Sequence, residues 1–355
     1  MGGAPPGIGP AAARAASSSL PAPPRGASLL PTDEAMKGLA QGTDIGAGGT
    51  NAASNPLMEE ERRNPVPSPA EEVCDKIAFE MNNLMKDNVA AKGATIRALT
   101  QDQGSLAMAW FANLLVCKRC AHEQNHQSTY LELLEAVGLR ALWAEVLRRT
   151  LHSVRIMLRS PSCRGATQER TLLKNLGHWL GLLTLHRDKP LLRRDLDLKA
   201  LVVEAYARGF LQVVVPFACK VIACTKESRV FATPNPWTNA MLALLFEVHR
   251  TPELKLNLTF EVEVLCNTLG VKMTVVPPSQ VLANVRIDGG GFDTKQGSGG
   301  LSMTNFGGTA STWSSQLPVV TSTPLGPPTA GPGDAPLGDQ GEALSRLQGP
   351  GAHAA

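Results

Sequence analysis

The placement of glycine and proline constrains this chain more than any other feature. Residues 1–70 hold 11 Pro and 10 Gly, and residues 274–355 hold 9 Pro and 15 Gly; the 203 residues between them hold only 6 Pro and 8 Gly. A stretch so rich in Gly and Pro cannot bury enough apolar surface to offset the entropy of ordering it. The expectation is one folded domain over 71–273. A disordered Ala/Gly/Pro-rich tail is expected at 1–70, and a disordered Gly/Pro/Ser/Thr-rich tail at 274–355. About 200 residues is ample for one core and short for two.

Within 71–273 the apolar residues recur with helical spacing. Val73, Ile77, Met81 and Leu84 follow one another at intervals of three and four, which predicts an amphipathic helix from Glu71. Leu106, Trp110, Leu114 and Val116 to Cys117 mark a second. Tyr130, Leu133, Leu134 and Val137 mark a third that closes near Gly138. Leu142 to Leu158 gives a long fourth, stopped by Ser160-Pro161, and Leu172 to Leu183 a fifth. Further helices fit Leu196–Ala207, Pro216–Thr225, Pro236–Arg250 and Leu258–Leu269. Asn235 can cap the helix that Pro236 begins, and Asp195 is read as the cap of the Leu196 helix. Pro216 is read as a helix start because an interior proline breaks a helix. Gly177 and Gly181 stand inside a helical run, where Gly costs about 1 kcal/mol relative to Ala, so a neighbouring helix is expected to approach closely there. Val213-Val214-Val215 before Pro216 could form a strand, but the flanking helical periodicity and the proline favour a helix start, and strand-type alternation is absent elsewhere. Nine or ten helices with short connections predict an all-α chain, a HEAT-like α-solenoid of about five helical hairpins; a closed bundle is the other arrangement such helices allow.

The sequence argues against most chemistry. Cys117-Lys118-Arg119-Cys120-Ala121-His122 and the nearby His126 have zinc-ligand types, but one residue separates Cys120 from His122 where a zinc finger needs about a dozen. Cys117 and Cys120 lie one turn apart on an apolar face, where cysteine acts as a small hydrophobe. There is no G-x-S-x-G elbow, and Gly289–Gly300 lacks the G-K-[ST] ending of a phosphate loop. No catalytic, cofactor-binding or metal-ligating set emerges, and no cofactor is expected. Between Glu71 and Met273 stand 26 Lys and Arg against 20 Asp and Glu, an excess that permits contact with RNA or an acidic partner without requiring it. Seven cysteines, odd in number and set in helical stretches, suit a reducing compartment. No run approaches the ~18–20 apolar residues of a membrane helix, so no membrane contact is expected.

Four segments then resemble, in order and spacing, one known family. They are Asp75-Lys76-Ile77-Ala78-Phe79 with Asn82-Asn83-Leu84, Leu172 to Gly181, Pro234 to Thr238, and Leu254 to Leu258 with Phe260 to Cys266. Together they are similar to the central, HEAT-like domain of the large Not scaffold subunit of the CCR–NOT deadenylase complex, over roughly Glu71 to Leu269. The resemblance implies a scaffold, not an enzyme. It implies that a DEDD-type poly(A) deadenylase subunit is held by this domain and that a DEAD-box RNA helicase docks on a separate surface. Other CCR–NOT subunits would join through further domains, and any RNA contact would be indirect. The helicase-facing pattern of the family matches Lys118, Arg119, Glu123 and Asn125, the candidate partner-binding residues. A role in mRNA decay and translational repression, in cytoplasmic P-bodies and also in the nucleus, follows from the same resemblance. The alternative is a helical-repeat module for translation initiation or direct RNA binding. Against it, the N-terminal region lacks the Tyr-x-x-x-x-Leu cap-binding-protein motif, and aromatic residues for base stacking make up only 5% of the chain.

Overall fold

The computed structural model describes residues 28–32 and 55–286, and among these the chain forms twelve α-helices and no strand. In order they are α1 (Pro56–Arg63), α2 (Glu71–Asn82), α3 (Val89–Asp102), α4 (Gly104–Asn113), α5 (Gln127–Val137), α6 (Arg140–Arg159), α7 (Ser162–Gly165), α8 (Thr167–Leu183), α9 (Leu198–Ala207), α10 (Leu211–Ala223), α11 (Pro236–His249) and α12 (Leu256–Leu269). A seven-residue π-helix, Leu114–Cys120, prolongs α4. None of these helices is long and apolar enough to cross a membrane.

The helices stack in the manner of a solenoid, as the helix rhythm predicts. In a row that α4 begins, α6, α8, α10 and α12 each pack on the helix two before, and α3 packs on α5 beside them. Short partners close hairpins onto this row, α9 against α10 and α11 against α12. Contacts are therefore mostly between neighbours, which is the defining property of repeat architectures. One apolar core runs through the row, with Phe111, Leu142, Met157, Trp179, Phe217 and Phe246 fully buried.

The closest approach in that row is the one the two helical glycines signal. A Cβ on Gly177 would lie 2.8 Å from Phe217 Cδ2 and 2.9 Å from the Phe217 carbonyl oxygen; one on Gly181 would lie 2.6 Å from Cys224 Sγ and 2.8 Å from the Val221 carbonyl oxygen. The two glycines thus let α8 press against α10 and the turn that follows it, at the cost in helix propensity noted above. Gly93 does the same for α3 and α5, where a Cβ would meet Ala136 Cβ at 2.6 Å. Helix ends follow the sequence at several points. Gly138 takes the left-handed conformation, φ 65°, that ends α5, and Asn235 Oδ1 accepts from the backbone N–H of Trp237 at 2.8 Å and Thr238 at 3.2 Å to start α11.

The structure corrects four sequence expectations. The N-cap of α9 is Asp197, which accepts from Ala200 N at 3.0 Å, not Asp195; Leu196 lies ahead of the helix, not in it. Pro216 lies inside α10, not at its start. Val213, Val214 and Val215 are all buried on that helix, and their burial outweighs the ~3 kcal/mol that an interior proline costs. Helix α3 falls in a stretch given no helix above. Its inward positions are Val89, Gly93, Ile96 and Thr100, correctly spaced but too small and polar to form a visible apolar stripe.

The folded region is also wider than 71–273. Helix α1 lies within the stretch read as tail, begins at Pro56 behind the Asn55 cap, and packs on α6 with Leu57 buried. At the other end, Glu247 of α11 accepts from the backbone N–H of Val281 at 2.9 Å, Leu282 at 2.8 Å and Ala283 at 3.2 Å, and Leu282 is buried. Leu30 and Leu57 in the N-terminal flank and Leu282 in the C-terminal one reach the core, and a single such side chain is enough to dock a short segment. The tail expectations for 1–27, 33–54 and 287–355 lie outside the described residues.

Candidate functional site

The four candidate residues sit where α4 leaves regular geometry. In the π-helix Leu114–Cys120, backbone bonds of the i→i+5 type widen the turn, as in Ala121 N to Val116 O at 3.1 Å; such turns recur at functional sites. Leu115, Val116, Cys117 and Cys120 point into the core, which leaves Lys118 and Arg119 on the outer side, half-buried. A short turn and the 3-10 helix Gln124–His126 then carry Glu123 and Asn125 beside them.

Three of the four are already engaged within the chain. Lys118 Nζ pairs with the Glu61 carboxylate of α1. Burial pulls the Glu61 carboxyl up, but hydrogen bonds from Lys118 and Asn113, with the charges of Lys118 and Arg149, hold it below the ordinary value. Arg119 Nη1 donates to Glu123 Oε1 at 3.0 Å, and its other terminal nitrogen donates to Asn82 Oδ1 at the end of α2. The second Glu123 oxygen accepts from the Tyr130 hydroxyl, whose pKa is raised by burial and by that carboxylate. Asn125 is exposed, as are His122 and His126 on the same turn. The structure therefore brings Arg119 and Glu123 together, sets Lys118 toward α1, and leaves Asn125 at the rim.

Beneath this turn lies a buried polar support whose role the sequence did not reveal. Gln127 Nε2 donates to the Cys120 carbonyl at 2.7 Å and the Asn175 carbonyl at 2.9 Å, and Asn175 Nδ2 donates to the Ala121 carbonyl at 2.8 Å. These bonds take up the carbonyls that the end of the π-helix leaves open and tie it to α8. His178 Nδ1 lies 2.5 Å from Gln127 Oε1. Since Gln127 uses its amide nitrogen as donor, the ring donates there through Nδ1. Its pKa is pushed down to about 4, by burial first and then by the charges of Lys220 and His186.

Cys117 Sγ lies 3.4 Å from Ser153 Oγ, and Cys120 is fully buried with its thiol pKa raised well above the ordinary value by burial. Both pack as small core residues. Among the described residues no group of three or more His, Cys, Asp or Glu is placed to hold a metal ion.

A second surface stands on α12. Leu258, Val262, Leu265 and Cys266 of that helix are buried, yet Leu256, Phe260 and Val264 are 66%, 52% and 55% exposed. Spaced by four, these three stack along one face. The helix is thus apolar on both sides, the pattern of a helix covered on both sides. The carboxylates beside the ridge are already paired, Glu261 with Lys174 and Glu263 with His249 Nε2 at 3.4 Å. The signal for the ridge lay in the sequence as the second i, i+4, i+8 series of Leu256–Leu269, but only the structure shows which of the two series is left outside.

Comparison with known proteins places this architecture. Residues 65–288 match the family model described as the CCR4-NOT transcription complex subunit 1 CAF1-binding domain. The chain is 37% identical over 222 residues to the CCR4-NOT transcription complex subunit let-711 of Caenorhabditis elegans, covering 61% of this chain and 8% of that protein. It is 36% identical over 214 residues to the general negative regulator of transcription subunit 1 of Schizosaccharomyces pombe, covering 60% of this chain and 10% of the relative. The protein of the same name from Saccharomyces cerevisiae is 32% identical over 212 residues, 59% of this chain and 10% of the relative. The match thus spans a tenth or less of the length of these relatives.

Proposed function

Because the chain belongs to the family of the CCR4-NOT transcription complex subunit 1 CAF1-binding domain, we propose that it is a non-catalytic scaffold with two docking surfaces. The α12 ridge holds the CAF1-type poly(A) deadenylase subunit, and the turn around Arg119 holds a DEAD-box RNA helicase. Bringing a nuclease and a helicase to one platform serves mRNA deadenylation, decay and translational repression, with the cytoplasm and its P-bodies as the place of action.

The observation that carries the reading is the exposed series Leu256, Phe260 and Val264 on a helix whose opposite face is already buried. Leaving three large apolar side chains in water on a rigid helix is unfavourable by about 25 cal/mol per Å² of apolar surface, and contiguous apolar patches mark interaction sites.

The helicase surface rests on different chemistry. The Arg119–Glu123 ion pair is only partly buried and contributes about 0–1 kcal/mol to the fold. Its use lies in orientation: Glu123 and Asn82 fix a guanidinium that can then meet a partner carboxylate without first losing its rotamer freedom. Lys118 and Asn125 flank it as secondary contacts.

The test is direct binding of the purified deadenylase subunit to the full chain. Phe260→Asp is expected to weaken binding by about 2 kcal/mol or more, as for a central apolar anchor, with melting temperature unchanged because the side chain is exposed. Undiminished binding by Phe260→Asp and by Leu256→Asp/Val264→Asp would show that the nuclease sits elsewhere.

A further inference from the structure

Far ahead of the solenoid in sequence, the five residues Ser28-Leu29-Leu30-Pro31-Thr32 lie folded onto the end of α9. Leu30 is 2% exposed and joins the core, Pro31 is buried, and Leu29 packs against the same apolar cluster. The polar contacts come from the last turn of α9 and its C-cap. The Ser28 hydroxyl donates to the Glu204 carboxylate, 176 positions away. Arg208 Nη1 donates to Ser28 Oγ at 3.1 Å, and its Nη2 donates to the Pro31 carbonyl oxygen. Glu204 and Arg208 are themselves paired at 2.9 Å, so carboxylate and guanidinium are held in place for the segment they grip. Leu30 N–H bonds Ser28 Oγ at 3.0 Å, which shapes the segment into a compact turn.

This arrangement has the parts of a peptide-recognition site. One aliphatic side chain enters a buried seat, a main-chain carbonyl is held by arginine, and a hydroxyl is read by a fixed acid and base. Proline adds a residue with no N–H to satisfy and a preset φ, so little freedom is lost on docking. Among the described residues the contact spans five positions, and its polar part rests on Glu204 and Arg208.

We propose that the end of α9, through Glu204, Arg208 and the seat of Leu30, is a docking site for short Ser-Leu-Leu-Pro-type peptides. Residues 28–32 are its resident ligand in cis. A partner bearing a segment of that chemistry enters by displacing them, so the chain regulates its own access. The proposal does not depend on what the α12 ridge or the Arg119 turn binds.

The experiment is a fluorescence-anisotropy titration of a labelled peptide, with the sequence of residues 26–34, into the full chain. The wild-type chain is expected to bind it weakly because its own segment fills the seat. Leu30→Asp, which expels that segment, is expected to bind at least tenfold more tightly, and adding Arg208→Ala to it is expected to remove at least tenfold of the gain. A scrambled peptide should not bind. If Leu30→Asp loses helicity, the double substitution Leu29→Gly/Leu30→Gly removes the anchor without adding charge and serves in its place. Equal binding by wild type and opened chain, no binding by the opened chain, or binding indifferent to Arg208 would each overturn the proposal.

Discussion

At the scale of single residues, the molecule is held by side chains chosen for what they omit or what they bond. Gly177 is present because a methyl group there would lie 2.8 Å from the Phe217 ring. Gly177→Ala is expected to destabilise the fold by about 1–3 kcal/mol, the usual cost of overpacking. Thermal unfolding should show it as a fall of roughly 2–4 °C per kcal/mol for a domain of this size. Gly177 and Gly181 could be read from the sequence because glycine inside a helix already asks for an explanation. The role of His178 could not, because its partner Gln127 is 51 positions away. Its pKa is lowered to about 4 in the fold against about 6.5 in an unfolded chain. The unfolded state therefore takes up the proton first, so stability contributed by the neutral ring is complete above pH 6.5 and is lost as pH falls toward 4. The loss is on the order of 3 kcal/mol. Chemical denaturation across that range is expected to show this slope in the wild type and a shallower one in His178→Gln. Arg119→Ala, in turn, is expected to cost about 2 kcal/mol of helicase affinity, roughly thirtyfold. Deadenylase binding and melting temperature should not change; an unaltered helicase affinity would remove Arg119 from the docking surface.

At the scale of elements, what was legible depended on how large the inward side chains are. Helices α6, α8 and α12 present leucine, valine or tryptophan at helical spacing, and their sequence expectations hold. Helix α3 turns Gly93 and Thr100 inward beside Val89 and Ile96, so its periodicity is carried partly by residues that read as neutral. Helix α10 is longer than its proline predicts: an interior proline does cost a hydrogen bond, and the packing that outweighs it lies in α8 and α12. Helix α1 was hidden by company, eight residues between Pro56 and Pro65 in a Pro-rich stretch. Its Asn55 cap and its Glu59–Arg63 pair at 3.0 Å are nevertheless ordinary helix signals. It also buttresses the candidate site through Glu61, which meets Asn113 at 2.9 Å and pairs with Lys118. Removing its anchor should therefore be felt locally. Leu57→Ala is expected to raise hydrogen exchange throughout α1 and trypsin cleavage after Arg62 and Arg63, while α6 and α8 keep their protection. Loss of protection across the whole chain would mean that α1 is integral to the solenoid and not docked upon it.

At the scale of the whole molecule, a row of helices that contact mainly their neighbours offers long, separate surfaces, and two of them carry chemistry fit for partners. The α12 ridge is apolar and rigid; the Arg119 turn is charged and pre-oriented. Of these, the charged turn was singled out by resemblance to a family pattern, whereas the ridge could not be, because exposure is a property of the assembled row. On the scaffold reading the chain alone is expected neither to shorten poly(A) RNA nor to hydrolyse ATP; turnover that survives exhaustive purification would contradict a scaffold. The most direct test of the central claim, that one solenoid carries nuclease and helicase at once, is the mass of the complex formed when the chain is mixed with both. Light scattering coupled to size-exclusion chromatography is expected to give a single species with one copy of each. Two binary complexes in place of one ternary complex, the partners excluding each other, would contradict the account.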